Sequence, residues 1–114
     1  MSDTSTADAA TDTNGWAFGN ADEMEWQQLS EFVSMKLLGV ADDKGIGLFK
    51  FAPGYQGGVH QHVAAEFGYV LEGSVIANGV TLAAGEAYAA QTGTQHHEGP
   101  CEGATLLSVF TIPT

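Results

Sequence analysis

A chain of 114 residues that is 44% apolar has room for one domain around one core. Its formal charge of −11 comes from 14 acidic residues against three lysines and no arginine, and it repels nucleic acid and anionic lipid, both polyanions. The missing arginine also removes the usual bidentate clamp for carboxylate and phosphate, so a phosphosugar substrate is disfavoured unless lysine or a metal takes that part. In chain order, residues 1–15 are mostly Ser, Thr, Ala and Asp with little to bury, and read as a disordered acidic tail. Residues 16–114 read as the folded domain. "ADEMEWQQL" is a lead-in whose Trp26 anchors to the body. "FVSMKLLGV" and "IGLFKFA" are strand-like, with "ADDKG" turning between them. Phe49 and Phe51 alternate with Lys50, which sends the phenyl rings inward and Lys50 outward.

"PGYQGG" reads as a loop before "VHQHV" and "EFGYVL". "EGS" reads as a break before "VIA", and "NG" at Asn78–Gly79 is a two-residue hairpin signal before "VTL". "AGEAYAA", "TGTQHH" and "ATLLSVFTI" complete the chain. Short strands with regular turns and no period-3.6 helix predict an all-β antiparallel sandwich or barrel. No apolar run approaches the roughly 18 residues that span a bilayer, and the start has no basic or apolar leader region. The single cysteine, Cys101, allows no internal disulfide. A cytoplasmic location is expected.

The chemistry gathers in two places. In a strand, residues i and i+2 share a side, so His60 and His62 converge. Glu66 keeps the same parity if the strand continues. Imidazole nitrogen and carboxylate oxygen together suit Zn, Fe, Mn, Ni or Co without choosing among them. The other two histidines, His96 and His97, are adjacent and face opposite ways, so one of them can join the site. Histidines also occur on ordinary surfaces, but here all four fall in two clusters that a barrel could bring together.

Gly54, His60, His62, Glu66 and Gly73 match the first motif of the cupin superfamily, Gly-x5-His-x-His-x3-Glu-x6-Gly, at every position. Gly85, Gly93 and His96 match the second, Gly-x5-Pro-x-Gly-x2-His-x3-Asn. There Gln91 replaces the proline and Pro100 the asparagine. The chain thus resembles a small single-domain bacterial cupin over about residues 26–112. The resemblance implies a double-stranded β-helix, or jelly-roll barrel. It implies one divalent transition metal (Fe, Mn, Ni or Zn) on His60, His62, Glu66 and His96, with His97 facing away. "W…VSMKLL…GLFKFAPG…HQH…GYVLEGS…AGEAY…G…H" is similar to the branch with acetylacetone and dihydroxyacetophenone dioxygenases. The cupin half of zinc anti-sigma factors belongs to the same branch. The diketone-cleaving members use three histidines, so the glutamate is a departure.

The expected function is a metal-dependent enzyme, dioxygenase-like or isomerase-like, acting on a small oxygenated molecule of diketone or enol type. The alternatives are a non-catalytic module that senses a small ligand, and a cupin whose metal only stabilises the fold. Tyr55 and Tyr88 are candidate catalytic donors to a bound substrate, and the plainer reading is a half-buried phenol with a satisfied hydroxyl. Cys101 is expected to be an inert small residue on a loop, and Glu98 and Glu102 to be solvated. The partners are a small molecule and, in a homodimer, a second copy, because parity leaves Phe67, Tyr69 and Leu71 on an outer face. A segment around Trp26 could cover that face instead.

Overall fold

The computed structural model describes residues 12–61 and 64–112. The expectation of a disordered tail therefore falls largely outside the described residues, as does the position of His62. Nine strands run through the described part: β1 (Gln27–Gln28), β2 (Val33–Ala41), β3 (Lys44–Phe51), β4 (Gln56–Gln61), β5 (Glu66–Ala77), β6 (Val80–Ala83), β7 (Ala87–Ala90), β8 (Gln95–Pro100) and β9 (Ala104–Thr111). The only helical piece among the described residues is a 3-10 turn at Ala21–Glu23, capped by the Asn20 side chain. No helix among them is long and apolar enough to cross a membrane.

All the pairings are antiparallel, in the order β1-β2-β3-β9-β5-β8-β4, with β6 and β7 also on β5. β5 belongs to both sheets of the jelly roll. Its first half pairs with β7 and β9, and its last residues pair with β6 and β8. The hinge is the "EGS" stretch, which was expected to be a break. The strand continues through it, with a register shift between Val70 and Glu72. Gly73 follows at φ +73, where an added Cβ would lie 2.1 Å from the Gly103 carbonyl oxygen. Glycine's freedom at positive φ lets the chain bend here without stopping. "PGYQGG" is likewise only half a loop. Gln56 already pairs with Pro100, so β4 takes its last three residues.

The Asn78–Gly79 turn is as expected, with both residues at positive φ (50 and 78). Asn78 also reaches β8. Its side chain donates to the Gln95 carbonyl at 3.0 Å and accepts from the His97 amide at 2.7 Å. The β5–β6 hairpin is thereby tied to the strand that carries His96.

The core is the alternating inner face of β3, β5 and β9. Phe51, Val70, Ala104 and Leu106 are buried together with Cys101. Phe49 packs against them, and Lys50 is exposed. Trp26 anchors as expected, with its ring covered by the ammonium groups of Lys36 at 4.8 Å and Lys50 at 4.4 Å.

Candidate metal centre

A cavity of about 390 Å³ opens into the barrel. One wall is apolar, built from Val33, Phe49, Phe51, Leu106 and Phe110. The opposite side gathers Tyr55, Glu66, Tyr88, His96 and Glu98. Strand alternation explains the gathering. On β8, His96 and Glu98 are two apart and line the cavity, whereas His97 between them is exposed. On β5, Glu66 lines the cavity and Gly68 and Val70 are buried, whereas Phe67 and Tyr69 are exposed.

His96 is 7% exposed, and its ring centroid is 5.8 Å from that of Tyr88. The Tyr88 hydroxyl donates to the Glu66 carboxylate. Gly68, across from Tyr88 on the neighbouring strand, makes room for that ring. A Cβ there would meet Tyr88 Cε2 at 2.3 Å. The Tyr55 hydroxyl donates to Glu98 Oε1 at 3.0 Å. Gly57 gives space to this pair, since a Cβ there would lie 2.4 Å from Glu98 Oε1 and 2.6 Å from the Tyr55 oxygen. Both phenols are therefore satisfied by carboxylates. Burial first, then the charge of Glu98 and its hydrogen bond, holds the Tyr55 phenol well above the ordinary 10.0. Burial first, then the hydrogen bond to Glu66 and its charge, does the same for Tyr88.

Among the expected ligands, Glu66 and His96 share the cavity. The backbone of β4 places His60 directly across from His96 in the β4–β8 ladder. His62 lies outside the described residues, and among these no cluster of three His, Cys, Asp or Glu side chains is close enough to hold a metal. The donor set still fits a divalent transition metal. A buried imidazole and a carboxylate face one cavity, and the backbone register puts a second histidine at the position paired with the first.

Glu98 corrects the sequence reading. It was expected to be solvated, yet it is half-buried and bonded to Tyr55 inside the cavity. Its two-residue spacing from His96 on one strand is the signal that could have found it. Glu102 is exposed, as expected. Cys101 is buried in the core and accepts from the Gly103 amide at 3.3 Å, at the edge of a small inner recess.

The architecture has close counterparts among solved structures. KdgF from Halomonas sp. is 27% identical, with a TM-score of 0.74 over 86% of this chain and 96% of that one. A proposed acetylacetone dioxygenase from Methylibium petroleiphilum PM1 is 17% identical, with a TM-score of 0.73 over 82% and 75%. The complex of Rhodobacter sphaeroides SigE with the anti-sigma ChrR gives 18% and a TM-score of 0.69 over 96% of this chain and 68% of that one. The last two likenesses speak for the fold alone. No curated protein sequence matches. The model of the ChrR cupin-like domain matches residues 15–113, nearly the whole chain, so the chain belongs to that family of cupins.

Proposed function

We propose that this cupin is a metal-dependent enzyme acting on a small oxygenated organic molecule, with His60, His62, Glu66 and His96 as the metal ligands. The observation that carries the reading is the cavity itself. It sets Glu66 and His96 against an apolar wall in a space of about 390 Å³, large enough for a small substrate. A divalent metal held there supplies Lewis acidity and a template for chelating oxygens. The chain's own residues do the rest. Tyr88 orients the Glu66 carboxylate through its hydroxyl, as outer hydrogen bonds commonly orient a ligand. Phe49, Phe51 and Leu106 exclude water from the side facing the polar groups. The dioxygenase-like fold neighbour makes oxygenolytic cleavage of a diketone or enol the first activity to test.

The second reading is a non-catalytic module that binds a metal and reports a small ligand. It is favoured by the family itself, the ChrR cupin-like domain, and by the 96% of this chain that superposes on the SigE–ChrR structure. One experiment separates the two. The protein is purified without added metal, its metal content measured by elemental analysis, and oxygen uptake followed over a panel of diketones and enols. Bound iron with oxygen uptake supports the enzyme. Tightly held zinc with no turnover supports the sensing module. Absence of any metal overturns both.

A further inference from the structure

We infer that the cavity selects neutral oxygenated ligands against carboxylates and other anions, and that Glu98 is the residue that sets this preference. The inference rests on the proposed metal site and names the charge class of what enters it.

Two carboxylates face the cavity, Glu66 and Glu98, held by Tyr88 and Tyr55 respectively. With neutral imidazoles, a divalent cation and Glu66 alone would leave a net positive site. Glu98 brings the total to neutrality, so no positive excess remains to attract an anion. The chain also has no cation to offer in its place. It contains no arginine and only three lysines, and none of the three lines the cavity. Lys36 donates to the Ala21 carbonyl at 2.6 Å and covers Trp26, and Lys50 covers the same ring. Lys44 touches one lining residue, Thr111, at 2.9 Å, and is matched there by the Asp43 carboxylate at 3.3 Å. An anionic ligand would thus lose water and meet a carboxylate beside an apolar wall. Burying a charge without an opposite partner is costly. A neutral ligand with hydroxyl or enol groups meets acceptors instead. Glu98, and the phenols beside it, can receive or relay its hydrogen bonds.

The test uses two probes of nearly equal size and the same oxygen spacing, pentane-2,4-dione and acetoacetate. Binding to the full chain is measured by calorimetry, with metal content determined on the same samples. The wild-type protein should bind the neutral diketone at least tenfold more tightly, a difference of about 1.4 kcal/mol. Glu98→Gln should narrow the ratio to about threefold or less by gaining affinity for acetoacetate. Glu98→Asp, which keeps the charge, and Glu102→Gln, on the surface, should keep the ratio. Equal or tighter binding of acetoacetate by the wild type overturns the inference, and that arm needs no variant to fold. Binding of neither probe overturns it as well. An unchanged ratio in Glu98→Gln protein that melts normally overturns the role of Glu98. A sample without metal that still prefers the diketone would sink the metal reading and leave the charge preference standing.

Discussion

At the scale of single residues, β8 decides most of the chemistry. His96 is buried and His97 exposed, although they are neighbours of the same type. Alternation along the strand is the whole difference. Substituting His60 or His96 with alanine should remove most of the bound metal, and His97→Ala should leave it in place. Elemental analysis of the three variants checks this, and full occupancy in His96→Ala protein would refute the ligand assignment. Tyr55 supplies a pH dependence. Its folded value lies above the ordinary 10.0, so above that pH the unfolded chain gives up a proton that the folded chain keeps. Stability from this group is therefore full below about pH 10 and declines as the pH rises toward its folded value. Tyr55→Phe protein should lose stability less steeply than wild type between about pH 10 and 12. Parallel urea titrations at each pH would show it, and identical slopes would exclude Tyr55 as the source.

At the scale of elements, the Asn78–Gly79 hairpin does more than reverse the chain. Asn78 bonds β8 through its side chain at two points, and its own amide donates to the His97 carbonyl at 2.9 Å. The turn therefore helps fix the strand that presents His96 and Glu98. Gly79→Ala would place a Cβ in open space but at φ +78, so its cost is conformational. The expected loss is about 1 kcal/mol, or roughly 5 °C in melting temperature, with metal content unchanged. A variant that melts like wild type would mean the turn relaxes to another form. This hairpin was legible from two letters, because Asn-Gly states its own backbone angles. The bend in β5 was not. Glu72, Gly73 and Ser74 look like a break, and only the close approach of Gly103 shows why a strand passes through them. Glu98 was missed for a related reason. A glutamate near the end of a strand is usually solvated, and its partner, Tyr55, lies 43 positions away. His60 and His96 were singled out from two separate motifs, and what the sequence could not give is the ladder that pairs their backbones across β4 and β8.

At the scale of the whole molecule, the outer face of the larger sheet carries apolar rows. Register aligns Ala89, Phe67, Val109 and Ile46 in one row, and Ala87, Tyr69, Leu107 and Leu48 in the next. Phe67 is 50% exposed and Tyr69 43%. Trp16 and Phe18 stack nearby in sequence at 6.2 Å and are exposed. The segment around Trp26 was the competing cover for the stripe, but Trp26 lies under Lys36 and Lys50 on β2 and β3, three and two strands away from β5. A patch of this kind is unusual on a monomer in water, and a two-fold pairing of identical faces would cover it. The opposing term is charge. Each copy carries −11, so two copies repel until salt screens them. We therefore propose a homodimer whose association tightens as ionic strength rises, the reverse of an interface held by ion pairs. Phe67→Glu should weaken it by adding charge to the centre of the face, without touching the cavity. Sedimentation at micromolar concentration, in low and high salt, decides the matter. A monomer of 11.9 kDa at both would rule the dimer out and leave the apolar rows for a different protein partner.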